Sequence, residues 1–253
     1  MAVVAVFNQK GGVGKTTTTL NIAACLAAEH RAPLLLDTDP QAHLTLAFGI
    51  RNVPGDKSLY SFFQNGKTLE SLIMRQPSQI RLIPSSPELS KIDALFGNDP
   101  SIAKRLKEGM DKMPAQSRSI TLIDCCPMLG VLTLNSLLAS DRVLMPVSAD
   151  YLSLESIHKL KLALDVLESR LGRKFQRKVV VTRFDGRRKL SHEILRRLNE
   201  AFGEQVCRSV IKENVHLAES PMHGKDVLAF APWSQGAADY RAVTEELEQC
   251  NFL

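Results

Sequence analysis

The sequence predicts an α/β fold, a doubly wound, mostly parallel sheet with helices on both faces. Three observations carry this. Short apolar runs alternate with helical patterns along the whole chain. The first run, Val3-Val4-Ala5-Val6-Phe7, passes through a glycine-rich turn directly into a pattern with Leu20, Ala23, Ala24 and Ala27 at helix spacing. Two later runs end in carboxylates, Asp37 and Asp124, and the carboxyl ends of parallel strands are where open α/β sheets hold ligands.

The elements follow in order. Ala32-Pro33-Leu34-Leu35-Leu36 reads as a buried strand running into Asp37-Thr38-Asp39-Pro40-Gln41. A short helix is expected over 58–63, a strand over 80–84, and helices over 87–95 and 100–113, with turns at 54–55, 65–66 and 97–100. Ser119-Ile120-Thr121-Leu122-Ile123-Asp124 is a hydrophobic strand, followed by a helix over 131–139 and a buried strand over 142–147. A long amphipathic helix covers 152–171, a strand 179–182, and a helix 190–202 that Gly203 ends. The last helix covers 236–249. No segment shows a boundary, so residues 1–253 are read as one domain.

The turn after the first strand is Asn8-Gln9-Lys10-Gly11-Gly12-Val13-Gly14-Lys15-Thr16-Thr17. Glycines let a backbone ring an anion with its N–H groups, and the helix N-terminus adds partial positive charge. Lys15 brings a full charge to outer phosphates, and the Thr16 hydroxyl suits a Mg²⁺ ion. The strict pattern G-x-x-x-x-G-K-[ST] fails, because its first glycine falls on Gln9; Lys10 opens the loop instead. A dinucleotide-binding turn is the competing reading of such a loop, but the two Asp-ending strands favour phosphate and metal.

Composition narrows the classes. Hydrophobic residues make up 44% and charged residues 23%, as in an ordinary globular protein. No apolar run approaches the ~18 residues a membrane-spanning helix needs. The chain enters a strand at once, leaving no room for a signal peptide. Cys25, Cys125, Cys126, Cys207 and Cys250 form no C-x-x-C pair, which points to reduced thiols in a cytoplasm and away from a metal cluster. The net charge of +5 and a pI near 9.0 suit salt-sensitive nucleic-acid binding or a merely solvated basic surface.

With these motifs placed, the chain resembles ParA/Soj-type ATPases of the ParA/MinD superfamily, whose phosphate loop is the deviant Walker A form with the early lysine. The similarity runs over nearly the whole length. It includes Asp124 to Gly130, Thr133-Leu134-Asn135, Arg183-Phe184-Asp185-Gly186-Arg187 and Asn214-Val215-His216-Leu217-Ala218-Glu219. The resemblance implies a weak, partner-stimulated ATPase using ATP and Mg²⁺, and a dimer that closes on ATP. That dimer would hold nonspecific DNA of the nucleoid, and a ParB-like or cargo-adaptor protein would trigger hydrolysis. Gly11, Gly12, Val13, Gly14, Lys15, Thr16 and Thr17 would hold the phosphates. Lys10 would reach the partner's nucleotide. Thr16 and Asp124 would serve the metal, with Asp37 beside them or in a structural hydrogen bond. Asp39 would orient the attacking water, unless it only shapes the turn before Pro40. Thr182, Ile211 and Lys212 would flank the adenine.

Several departures from the family pattern bear on function. Cys126 and Met128 stand where relatives often have Pro and Ser, so Cys125-Cys126 is either a redox pair or two buried small residues. Lys212-Glu213-Asn214-Val215-His216 and Trp233-Ser234-Gln235-Gly236 lack three arginines that relatives often carry. Arg187, Arg188, Lys189, Arg196, Arg197 and Lys225 are the candidate replacements, with the Arg173-Lys174 and Arg177-Lys178 pairs behind them; each also reads as a solvated face. The acidic C-terminal helix does not favour membrane targeting, and with no extension before the first strand an operator-reading helix-turn-helix is not expected there. A nucleotide-dependent protein switch without DNA is the alternative function. A small-molecule kinase is disfavoured, since it has no use for Lys10.

Overall fold

In the computed structural model, which describes residues 2–97, 99–114 and 120–253, the first strand lies inside the sheet and is buried along its length. The strands are β1 (Ala2–Val6), β2 (Leu34–Asp37), β3 (Met74–Arg75), β4 (Arg81–Ile83), β5 (Ile120–Asp124), β6 (Arg142–Ser148), β7 (Gln176–Phe184) and β8 (Val206–Lys212). They form one sheet in the order β3-β4-β2-β5-β1-β6-β7-β8, parallel throughout except for the β3–β4 pair at one edge.

The helices are α1 (Lys15–Ala28), α2 (His43–Ala47), α3 (Leu59–Asn65), α4 (Lys91–Phe96), α5 (Arg105–Asp111), α6 (Val131–Ala139), α7 (Tyr151–Leu171), α8 (Lys189–Phe202), α9 (Val215–Glu219), α10 (Val227–Phe230) and α11 (Gln235–Gln249). Alternate strand residues feed two cores. Val4, Val6, Leu35, Leu122, Leu144 and Val180 pack with α1 and α11 on one face. Val3, Ala5, Leu36, Ile123, Met145 and Val181 pack with α3 to α8 on the other. Apolar residues on both faces of each central strand explain why these runs read as continuous rather than alternating.

The expected strands and helices are present, with boundaries moved by a few residues; Ser119, the expected start of β5, lies outside the described residues. Strand β7 begins earlier than hydrophobicity suggests because Arg177 is neutralised in place. Its guanidinium donates to Asp165 at 2.8 Å and to Glu168 at 3.0 Å. Arg173 donates to the carbonyls of Leu137, Leu138 and Ser140, the last at 2.8 Å. These two arginines are therefore committed to packing.

Strand β8 was not legible in the sequence. It is an edge strand whose burial does not alternate cleanly. Carboxylates from α11 cover its amides. Glu246 accepts from the N–H groups of Arg208 and Ser209 at 2.7 and 2.8 Å, and Asp239 accepts from Lys212 N–H at 2.8 Å. Such cover blunts an edge that could otherwise pair with another strand.

Candidate functional site

The turn between β1 and α1 has the backbone that a phosphate loop requires. Gly12 and Gly14 take φ of 74° and 87°, the left-handed region that glycine enters at little cost. No side chain caps α1 at Gly14, and its first turn carries no acid, so its leading amides face the crevice. From behind, the Thr182 hydroxyl of β7 donates to the Val13 carbonyl at 2.8 Å. The Lys15 ammonium is buried and donates to the Lys10 carbonyl at 3.0 Å. Burial lowers the pKa of Lys15 even though Asp124 acts to raise it, so the charge sits where an anion would stabilise it.

Parallel pairing sets Asp37 and Asp124 side by side at the ends of β2 and β5. Their surroundings differ. Asp37 is fully occupied by its own chain. One oxygen accepts from Asp39 N–H at 3.2 Å, and the other accepts from the Thr45 amide at 2.9 Å and the Thr45 hydroxyl at 2.6 Å. Burial raises its pKa to about 7 against those hydrogen bonds. Asp124 accepts from the Thr16 hydroxyl at 2.7 Å through Oδ2, while its buried Oδ1 has no hydrogen-bond partner. Burial first, and Asp37 second, push its carboxyl well above the usual range. An orphaned carboxylate oxygen beside a threonine hydroxyl and a phosphate loop fits a Mg²⁺ ion with its waters. Asp124 is thus the carboxylate with an oxygen to offer, and Asp37 supports the turn bearing Asp39.

That turn is locally built. Asp39 Oδ1 accepts from Gln41 N–H at 2.9 Å, and its carbonyl accepts from the Ser85 hydroxyl at 2.6 Å. Its half-buried carboxylate lines a cavity of about 680 Å³ with Gly11, Gly12, Lys15 and Thr16. A second cavity of about 180 Å³ adjoins it at Gly14 and Thr17. Thr182, Ile211 and Lys212, expected around the base, line it together with Tyr240.

Lys10 points elsewhere. Its ammonium is ion-paired with Asp150, the N-cap of α7, and donates to the Ser153 hydroxyl at 3.0 Å. Sequence reading missed Asp150, since nothing local to it signals that α7 begins beside the loop. It also missed Arg183, which lines both cavities. Cys125 and Cys126 are buried, and burial pushes both thiols up, which fits two small packing residues better than a redox pair.

The basic clusters are largely neutralised. Arg187 and Arg188 pair with Asp185, at 3.0 and 3.2 Å. Arg196 pairs with Glu193 and Glu200, and Arg197 with Glu193 at 2.7 Å. Lys189 and Lys225 have no ion pair among the described residues. Trp233 is 79% exposed, more than a core residue would be.

A strand, a left-handed glycine turn, a buried lysine and an adjacent strand ending in a partly unpaired aspartate define a P-loop nucleotide-binding protein of the doubly wound class. Comparison with known proteins narrows this. The family described as "AAA domain" matches residues 1–177. The chain is 37% identical to the chromosome-partitioning ATPase Soj of Thermus thermophilus, over 96% of this chain and 94% of that one. It is 33% identical to the chromosome partitioning protein ParA of Myxococcus xanthus, over 97% and 87% respectively. A crystal structure of cobyrinic acid a,c-diamide synthase from Mycobacterium smegmatis, with bound ATP analogue and magnesium, superposes with a TM-score of 0.83 at 26% identity, covering 98% of this chain and 95% of that one. The chain belongs to the ParA/Soj-type ATPases of the ParA/MinD superfamily. Among the described residues, no helix is long and apolar enough to cross a membrane.

Proposed function

We propose that this protein is a weak Mg²⁺-dependent ATPase that dimerises on ATP and positions a large cargo, DNA in the first instance, by holding nonspecific DNA of the nucleoid. The observation that carries the nucleotide assignment is the meeting of Lys15, Thr16 and the unpartnered Asp124 oxygen at one crevice. Magnesium supplies charge neutralisation on the outer phosphates and a rigid frame for them. Thr16 and Asp124 hold it, Lys15 meets the charge that develops in phosphoryl transfer, and Asp39 orients a water. Thr182, Ile211 and Lys212 enclose the base.

The dimer is supported by the rim of the crevice. Met222 lines the crevice and is 78% exposed, and Met128 and Leu129, which follow the lining residue Pro127 in the chain, are 70% and 60% exposed, beside a loop that needs a cover to exclude water. Lys10 serves the partner's nucleotide only after leaving Asp150, so ATP binding and dimer closure must break that ion pair. A ParB-like or cargo-adaptor protein stimulates turnover.

A second reading, a switch that docks on protein without DNA, draws on one observation. Four of the six basic side chains expected to meet DNA already hold carboxylates. Binding to nonspecific duplex DNA across a salt series, with ATP, ADP or no nucleotide, separates the readings. Binding by the ATP form alone, falling steeply with salt, supports the first. ATP-driven dimerisation with no DNA retention in any state supports the second. Lys15→Ala binding ATP normally would overturn the site itself.

A further inference from the structure

Arg183 stands at the junction between the two cavities that flank the phosphate loop. Three residues line both: Gly14, Thr17 and Arg183. Gly14 and Thr17 belong to the loop and the first turn of α1. Arg183 comes from across the crevice, near the end of β7. Its guanidinium has no hydrogen-bond or ion-pair partner among the described residues, whereas Arg187, Arg188, Arg196 and Arg197 all pair with carboxylates.

The backbone explains how it got there. In β7, Val179 and Val181 face the core under α6 to α8, and Val180 faces the core under α1. Strict alternation would send residue 183 into the first core and residue 184 to the other side. Instead Phe184 packs in the first core with Val179 and Val181. The β7–β8 register supplies the reason: Val181 pairs with Val210, but Phe184 pairs with Lys212, so β7 carries one extra residue across that interval. Arg183 has a φ of 52°, a region that disfavours any residue with a Cβ. A bulge of this kind re-aims a side chain. Here it keeps Phe184 in the core and releases Arg183 into the crevice, at a conformational cost that the fold sustains.

We propose that Arg183 is a nucleotide-binding residue that pairs with the α-phosphate of the bound nucleotide, making the site selective for nucleoside 5′-phosphates independently of the outer phosphates. This rests on the nucleotide reading of the crevice. The base cavity lies on one side of the junction, and Lys15 with the Thr16–Asp124 pair lies on the other. The first phosphate after the sugar is therefore the anion that falls between them. Lys15 serves the outer phosphates, and Arg183 gives the innermost one a cation of its own. A guanidinium suits this place because it can meet two phosphate oxygens at once.

The test compares wild type, Arg183→Met, Arg183→Lys, Arg183→Gly and Lys15→Ala in binding ADP directly, and AMP and adenosine by displacement of a fluorescent ADP. Arg183→Met is expected to weaken ADP and AMP by about the same factor, roughly tenfold for a charge-assisted contact, and to leave adenosine unchanged. Arg183→Lys should recover part of the loss. Arg183→Gly relieves the backbone, so its Tm should match or exceed that of wild type while its affinity falls as for Met. That separates lost contact from lost fold. ADP binding by Arg183→Met within twofold of wild type overturns the assignment, and so does a loss confined to ADP, an AMP that fails to displace the probe from wild type, or an effect seen only in ATP-driven dimerisation. Wild type that binds no ADP removes the nucleotide reading as well. Normal binding by wild type, none by Lys15→Ala, and no effect at Arg183 removes this inference alone.

Discussion

Thr182→Val removes the hydrogen bond that ties the phosphate loop to β7. The substitution preserves shape, so the methyl that stands 3.7 Å from the ideal Cβ position of Gly14 keeps its place. What is lost is the 2.8 Å bond from the Thr182 hydroxyl to the Val13 carbonyl, between two buried residues. Leaving the buried Val13 carbonyl without its donor costs about 1–3 kcal/mol, with about 2 kcal/mol at the centre of that range. This cost divides between two observables. If the loop stays put, unfolding free energy falls by the full amount. If the loop shifts so that the Val13 carbonyl finds water, the loss moves to nucleotide affinity, at tenfold per 1.4 kcal/mol. Urea denaturation and calorimetric titration with Mg-ADP, on the same preparations, measure both parts. Their sum should reach about 2 kcal/mol, and Thr182→Ser should restore most of it. A Thr182→Val protein matching wild type in both stability and ADP affinity would refute the claim that β7 holds the loop.

Three further perturbations test other parts of the structure. Asp150→Asn keeps the N-cap of α7 but removes the charge holding Lys10; ATP-driven dimerisation should then occur at lower protein concentration, and an unchanged concentration dependence would dissociate that ion pair from dimer closure. Asp185→Asn combined with Glu193→Gln frees Arg187, Arg188 and Arg197 and leaves Arg196 only Glu200, so DNA affinity should rise and its salt dependence steepen; no change in light-scattering or anisotropy titrations would place those arginines away from DNA. The same carboxylates give an acid signature. Hydrogen bonds from Arg187 hold Asp185 down to about 2, and those from Arg196 and Arg197 hold Glu193 down to about 2. Because both folded-state values lie below the unfolded ones, this stabilisation is present above about pH 4.5 and is lost as pH falls towards 2, which a denaturation series in that window should follow and Glu193→Gln should flatten. Glu246→Ala uncovers the Arg208 and Ser209 amides at the sheet edge; a loss of about 1–2 kcal/mol and greater aggregation are expected, and unchanged denaturation would show that solvent replaces the carboxylate without cost.

The sequence by itself determined the sheet's central strands, the phosphate loop and the two carboxylates beside it. Each is a local statement: an apolar run of the right length, glycines at left-handed positions, and a strand ending in Asp. Family resemblance added Thr182, Ile211 and Lys212, and the fold gathers all three on one cavity. Only the tertiary structure distinguished Asp37 from Asp124. Both end apolar strands, and the difference is made by Thr45 and Asp39 satisfying one while Asp124 Oδ1 is left without a partner. The charge on the surface was likewise undecided. A run such as Arg187-Arg188 reads as free basicity until Asp185 is seen to hold it, because side-chain pairing depends on turn geometry as well as on spacing. Strand β8 and the outward turn of Arg183 were hidden for a related reason. An edge strand lacks the two-sided burial that makes central strands legible, and a one-residue bulge changes which face a side chain takes without changing the pattern of residue types.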